Sequence, residues 1–167
     1  MIAPIGRRLF QTALISMWLL IAAAAGVQAK VMPPEGWVVL KTKHSYADLV
    51  KEVNKAAKAN KIGVVTRASA TVGAKKVLNK KIPGNMVVGL YHPRFAVRML
   101  EASIAAGIEA PIRVYLTENG DGSADLSYKK PSQVFAPYMK EGGEKLKALA
   151  AELDELFAKL TRQAAGM

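Results

Sequence analysis

Hydrophobic and polar positions along the chain follow two different periods, and each change of period marks a new element. Trp37–Lys43 and Lys61–Arg67 are rich in β-branched and aromatic residues, which predicts two strands. Between them Ser45 is a good helix N-cap, and apolar residues then recur at helical spacing opposite a lysine-rich face. The segment therefore predicts a strand, a helix and a second strand.

The middle of the chain continues the alternation of helices and strands. Thr71–Leu78 predicts a short helix, and Asn85–Tyr91 is an almost continuous apolar strand, typical of a central position in a sheet. Pro93 suits the first turn of a helix, which we expect to reach Ala106 with Gly107 as its C-cap.

The C-terminal part predicts a hairpin followed by helices. Ile112–Glu118 alternates as a strand, Asn119–Gly122 is a strong turn, and Ala124–Lys129 returns as the partner strand. A helical turn over Ser132–Tyr138 precedes a leucine-rich helix over Glu141–Ala165. The order β-α-β-α-β-α-β-β-α predicts an α+β fold, with a mixed sheet, helices mainly on one face and a long C-terminal helix.

The first thirty residues show the three-part pattern of a secretory signal. Arg7 and Arg8 form a positive start, residues 9–25 are mostly apolar, and residues 27–29 end in small side chains. We expect cleavage after Ala29 and a periplasmic or otherwise secreted protein. Residues 30–36 then predict an extended leader, and residues 37–165 a single domain.

Two alternatives for export stay open at the N-terminus. Arg7-Arg8-Leu9-Phe10 resembles the twin-arginine pattern, although paired arginines are also common in ordinary signals. An uncleaved signal would remain as a membrane anchor, but the apolar stretch is slightly short for a span of about 20 residues.

The composition narrows the range of partners and chemistry. The chain has 24 basic and 13 acidic residues, and loss of Arg7 and Arg8 with the signal leaves a formal net charge of +9. Such a charge favours anionic partners, such as lipid headgroups, acidic proteins or an anionic small molecule. Nucleic acid is not expected for an exported chain without a matching motif, and a membrane is expected as a partner only transiently, through the signal peptide. The absence of cysteine excludes thiol catalysis, iron–sulfur clusters and cysteine zinc sites.

Three stretches together resemble a known α+β family, the domain of unknown function 302. They are Val87–Ala96, Ala110–Leu116 and Asp121-Gly122, and the similarity extends over residues 37–131. The final helix is similar to that of exported members. The resemblance implies a small α+β domain that tends to form homodimers. The family has no agreed activity, so the resemblance implies no catalytic residues.

Two positions depart from the pattern of that family. His92 stands where many members carry Asn before the helix proline. Ile112 stands where many members carry Cys, so any chemistry that depends on that Cys is absent from this chain.

His92 is the most informative single candidate for a binding site. It lies between an apolar strand and a helix N-terminus, where a neutral imidazole is favoured and can bind a metal or a haem iron. Met86 and Met99 are near in sequence and could supply apolar walls or a second ligand. The alternative is that His92 caps the helix or packs at the end of the strand. His44, the other histidine, suits a solvated loop.

Basic and aromatic residues suggest an anion site as a second possibility. Arg94 and Arg98 lie one turn apart on the predicted third helix, and Arg113 lies two residues from Tyr115 on a strand. Arg113 could equally pair with Glu118. A lysine cluster at positions 75, 76, 80 and 81 is most simply a solvated face. The candidate ligand-binding residues are therefore Tyr91, His92, Arg94, Arg98, Arg113 and Tyr115.

Motifs for catalysis are missing from the sequence. It contains no nucleophile elbow, zincin motif, phosphate-binding glycine loop or paired-carboxylate signature. The leading hypothesis is an exported binding or interaction protein. The alternatives are a haem or metal protein with His92 as ligand, and an enzyme of unrecognised type. We also predict a homodimer, from the family resemblance and from the leucine stripe of the last helix, which could serve one chain or two.

Overall fold

A computed structural model describes residues 33–167 of the chain. The predicted signal and the first part of the predicted leader lie outside these described residues. Glu35 and Gly36 form a turn in which the N–H of Trp37 donates to the carbonyl of Pro34 at 3.1 Å, so the end of the predicted leader is a turn rather than an extended segment.

The described residues form five strands, five α-helices and two short 3₁₀ turns. The strands are β1 (Trp37–Ser45), β2 (Gly63–Ala68), β3 (Asn85–Tyr91), β4 (Ile112–Glu118) and β5 (Ser123–Lys129). The helices are α1 (Tyr46–Ala59), α2 (Ala70–Leu78), α3 (Pro93–Ala102), α4 (Pro131–Phe135) and α5 (Met139–Ala165).

The strands form one sheet in the order β1-β5-β4-β3-β2, and every neighbouring pair is antiparallel. The predicted α+β class is confirmed, but the sheet is antiparallel rather than mixed. The reason lies in α1, which carries the chain from one edge of the sheet to the other. Strands β1 and β2 run in the same direction, as a βαβ unit requires, yet three strands separate them.

The hydrophobic core lies between one face of the sheet and the helices α1, α3 and α5. Four leucines of α5, at positions 146, 149, 153 and 160, are at most 4 % exposed. The leucine stripe therefore packs inside its own domain. The predicted homodimer now rests on the family resemblance alone and stays a prediction.

Local hydrogen bonds determine where α1 begins and where α3 ends. The Ser45 hydroxyl accepts the N–H of Asp48 at 3.2 Å and donates to its carboxylate, so the predicted cap of α1 is confirmed. The helix α3 ends at Ala102 rather than at Ala106. Ser103 is extended there, and its hydroxyl accepts the N–H of Ala106, which belongs to a 3₁₀ turn over Ala105–Glu109 that contains Gly107.

The helix α2 differs from the others because none of its residues is buried. Polar contacts hold it at the start of β3. The hydroxyl of Ser69 donates to the carbonyl of Asn85 at 2.8 Å, and the hydroxyl of Thr71 donates to the carbonyl of Pro83 at 2.9 Å. This attachment leaves the outer side of α2 in solvent.

Within residues 33–167, no helix combines the length and the apolar character needed to cross a membrane.

Candidate functional site

The face of the sheet opposite the helices carries a groove with a volume of about 760 Å³. Three strands supply its floor. Val87 of β3 lies opposite Tyr115 of β4, and Tyr115 lies opposite Ser127 of β5. Tyr115 therefore stands near the centre of the groove, between an aliphatic and a small polar neighbour.

Strand alternation explains why Arg113 and Tyr115 reach the groove. Ile112, Val114 and Leu116 are buried on the helical side, so the residues between them project from the opposite face. The predicted pair Arg113 and Tyr115 is thus brought to one site.

Gly89 keeps the backbones close together beside this pair. It lies opposite Arg113 in the sheet, and β2 places Thr66 on its other side. A Cβ at Gly89 would overlap the Thr66 hydroxyl and would lie 2.7 Å from a ring carbon of Pro111. Any larger residue at this position would have to displace its neighbours.

The edge of the groove nearest to β1 is basic and aromatic. Trp37 pairs with Lys129 across β1 and β5, and the Lys129 Nζ atom lies 5.8 Å from the centre of a Trp37 ring. Both residues line the groove together with Arg113. Two cations and an indole ring therefore surround one end of an otherwise largely apolar surface.

A single acidic side chain, Glu109, lies among the residues that line the groove. Its carboxylate is 3.8 Å from the Arg113 guanidinium and accepts the hydroxyl hydrogen bond of Tyr138 at 2.9 Å. This hydrogen bond raises the pKa of Tyr138. The Arg113 side chain is 63 % exposed, so its ion pair with Glu109 is weak and leaves the guanidinium accessible.

Glu118, the partner that the sequence predicts for Arg113, has a different contact, since Arg113 pairs with Glu109 instead. Its carboxylate accepts the N–H of Gly84 at 2.6 Å, close to the start of β3. It therefore helps to fix the loop before β3 rather than the arginine.

The edge of the groove on the β2 side is polar and already hydrogen-bonded. Ser69 and Ala70 border it at the start of α2. The side-chain oxygen of Asn85 accepts the N–H of Ala70 at 3.1 Å, and the backbone carbonyl of Asn85 accepts the Ser69 hydroxyl. The edge on the β2 side therefore bounds the groove with uncharged residues, whereas the edge nearest to β1 carries its positive charges.

His92 lies away from the groove and is the N-cap of α3. Its Nδ1 atom accepts the N–H of Arg94 at 3.1 Å, and its ring contacts Phe95 edge-on at 5.8 Å between centroids. The cavity beside it has a volume of only about 40 Å³ and is also lined by Tyr91 and Met99, but not by Met86.

The structure therefore shows His92 as the cap of α3, which was the alternative to a ligand role. A role of His92 as a ligand stays a prediction. Within residues 33–167, no three His, Cys, Asp or Glu side chains come together in a way that could hold a metal ion.

Arg94 and Arg98 connect α3 to α5. Both guanidinium groups approach the carboxylate of Glu152, at 3.5 Å from Arg94 and 2.6 Å from Arg98. Arg94 also lies over the ring of Phe95 at 4.7 Å. Neither arginine lines the groove, so the structure separates them from Arg113 and Tyr115.

Several groove residues were missed at the level of sequence, namely Trp37, Val87, Glu109, Ser127 and Lys129. One of these residues, Ser127, could have been predicted from the sequence. The turn at residues 119–122 closes the hairpin of β4 and β5, and this register already pairs Tyr115 with Ser127. Trp37 and Val87 lie on strands that pair with strands distant in sequence, so the sequence alone did not place them beside Tyr115.

The fold and the groove define a small antiparallel α+β domain with one face of its sheet open to solvent. A family model described as "Domain of unknown function DUF302" matches residues 38–164, and the chain belongs to this family. No curated protein matches the chain in sequence.

A solved structure extends the comparison to the fold. The crystal structure of an uncharacterized conserved DUF302 protein from Bacillus stearothermophilus superposes with a TM-score of 0.69 at 14 % identity. The match covers 78 % of this chain and 99 % of that chain. At this identity the similarity establishes the fold and nothing about a ligand.

Proposed function

We propose that this chain is an exported protein that binds a small anionic molecule in the groove on the open face of the sheet. The supporting observation is the groove itself, in which Arg113 and Lys129 border a floor centred on Tyr115. Its volume of about 760 Å³ lies in the range of small-molecule sites, roughly 300–1,000 Å³.

The charge of the groove favours an anionic group on the ligand. Arg113 and Lys129 contribute two positive charges, whereas Glu109 contributes one negative charge and shares its carboxylate with Tyr138. A carboxylate, sulfonate or phosphate matches the planar guanidinium fork of arginine. The accessible guanidinium of Arg113 is therefore the expected anchor.

The floor favours an apolar or aromatic body next to that anionic group. Val87, Tyr115 and Val134 offer aliphatic and aromatic surface, and Trp37 adds an indole ring at the basic edge. A flat molecule placed over Tyr115 would bury this surface while its acidic group reaches Arg113. The expected ligand class is an amphipathic organic acid.

Export is the second half of the proposal and rests on the first 29 residues. The arginine pair, the apolar segment and the small residues before Lys30 support secretion. A domain with no cysteine has no thiol to oxidise in such a compartment.

The haem or metal alternative at His92 has weaker geometric support. The Nδ1 atom is already engaged by the N–H of Arg94, and the adjoining cavity of about 40 Å³ is far smaller than a haem. No observation favours this function over the groove.

Fluorescence of Trp37 offers a direct test of the groove. The chain has two tryptophans, and removal of the predicted signal removes Trp18, so Trp37 alone would report binding in the processed protein. A suitable probe is 1-anilinonaphthalene-8-sulfonate, which combines an aromatic body with an anionic group. We expect saturable energy transfer from Trp37 to the probe, with competition by aromatic and aliphatic carboxylates.

Matched variants separate specific binding from general attraction to a basic protein. The double variant Arg113→Gln, Lys129→Gln should weaken binding of the probe by about tenfold. The control Lys145→Gln, Lys147→Gln removes the same charge from the exposed side of α5 and should leave binding nearly unchanged. Equal losses in both variants, or equal binding of the uncharged anilinonaphthalene, would contradict the proposal.

A further inference from the structure

The helix α2 presents Val77 and Leu78 to solvent within a cluster of lysines. The two side chains are 81 % and 70 % exposed, and no residue of the helix is buried. Lysines stand in pairs on both sides of them, at positions 75, 76, 80 and 81, and all four are exposed. We call residues 75–81 the α2 patch.

A tight turn keeps both lysine pairs at the same end of the helix. Asn79 adopts the left-handed conformation, with φ of 48°, and the N–H of Lys80 donates to the carbonyl of Ala74 at 3.0 Å. The chain folds back over the last helical turn. Lys80 and Lys81 therefore stay next to Val77 and Leu78 instead of continuing away from them.

The sequence around the patch contains no negative charge. Residues 53–100 include ten basic residues and no Asp or Glu. Within the described part of the chain, none of the four patch lysines forms an ion pair. Glu118 lies near the start of β3, and its carboxylate accepts the N–H of Gly84 there.

We propose that the α2 patch binds the surface of a membrane that contains anionic phospholipid. Lysine ammonium groups would contact the phosphate headgroups, and each one near an anionic leaflet strengthens binding by roughly fivefold. Val77 and Leu78 would enter the boundary between headgroups and acyl chains. The long lysine stems allow both contacts together, because their apolar part lies along the interface while the charge stays in water.

The shape of the patch favours a lipid surface over an acidic protein. The patch lines neither of the two cavities described in residues 33–167, and it projects two exposed aliphatic side chains into solvent. A stable protein partner requires a complementary interface of about 1,200 Å² or more. A bilayer instead accepts a pair of projecting aliphatic side chains, because lipid molecules rearrange around them.

Vesicle binding tests this proposal independently of the groove. The processed protein, with its first residue verified by mass spectrometry, is mixed with vesicles of phosphatidylcholine alone or with roughly one third phosphatidylglycerol. Sedimentation then measures the bound fraction at low and high salt. We expect binding to the anionic vesicles to exceed binding to neutral vesicles by about tenfold or more, and to weaken with salt.

Two pairs of variants identify the surface responsible. Changing the four patch lysines to Gln should lower partitioning by about tenfold or more, whereas changing Lys140, Lys145, Lys147 and Lys159 to Gln should change it little. Val77→Ser, Leu78→Ser should also weaken binding. The apolar control is Ile104→Ser, Ile108→Ser, since both isoleucines are 79 % exposed.

The outcomes have clear meanings. Equal losses in the two lysine variants would show that net charge alone governs binding and would overturn the proposal. A wild-type protein that ignores anionic vesicles would overturn it as well. Loss confined to the α2 variants would support it, whatever the result of the groove titration.

Discussion

The imidazole of His92 accepts a hydrogen bond at its Nδ1 atom from the backbone N–H of Arg94, at a distance of 3.1 Å. His92 thus performs at the start of α3 the task that Asn performs at many helix N-termini. An Asn at this position would offer the same kind of acceptor to the first turn of the helix.

We predict that His92→Ala destabilises the domain by about 1 kcal/mol, because it removes this cap. His92→Asn should keep most of the stability, since Asn is a strong N-cap. Urea unfolding of the two variants measures the difference. If His92 is instead a ligand, titration with hemin should give a spectral shift that both variants lose and that His44→Ala retains.

A pair of glycine variants tests the close approach of strands beneath the groove. Gly89→Ala should cost about 1–3 kcal/mol, because its Cβ would press against Thr66 and Pro111. Gly73→Ala in α2 should instead stabilise the domain by up to about 1 kcal/mol, since no atom lies within 4 Å of the added Cβ. Thermal unfolding should move in opposite directions for the two variants, and a stable Gly89→Ala protein would contradict this packing.

The buried tyrosines predict a loss of stability in alkali. Burial raises the pKa of Tyr128 above the ordinary value of 10.0, and the side chain is only 4 % exposed. The unfolded chain therefore releases this proton at lower pH than the folded chain. The contribution of Tyr128 to the free energy of unfolding is fully present below pH 10. It falls as the pH rises from 10 toward the higher pKa of Tyr128 in the folded protein, by up to about 1.4 kcal/mol per pH unit.

The substitution Tyr128→Phe should flatten this part of the pH profile, because it removes the ionisable hydroxyl. Unfolding free energies measured across the alkaline range provide the test, with Tyr91→Phe as the partly exposed comparison. Tyr46, whose pKa burial also raises, should leave a residual slope in the Tyr128→Phe protein. A slope unchanged by Tyr128→Phe would contradict the assignment.

We predict that the N-terminus is processed on export. Sequencing of the exported protein should begin at Lys30, and Ala29→Phe should block cleavage by placing a large residue next to the scissile bond. A start at Met1 in the membrane fraction would refute cleavage. Arg7→Lys, Arg8→Lys distinguishes the two routes, because it should stop twin-arginine export and leave the general pathway working.

Local sequence determined most of the elements of this protein. The strands Asn85–Tyr91 and Ile112–Glu118 begin and end where the hydrophobic pattern predicts, because breakers or turn residues border each run. The Ser45 cap and the hairpin turn at residues 119–122 are equally local. The helix α3 was predicted too long because Ser103, an ordinary residue in the pattern, forms a hydrogen bond outside the helix.

Only the tertiary structure decided the order of the strands and the site they form. Tyr115 and Arg113 were candidates in the sequence, but Trp37 joins them because it pairs with Lys129 of β5, which is distant in sequence. The helix α1 places β1 and β2 at opposite edges, which no local pattern specifies. Capping and turns depend on neighbours in sequence, whereas strand pairing depends on which distant apolar faces bury each other best.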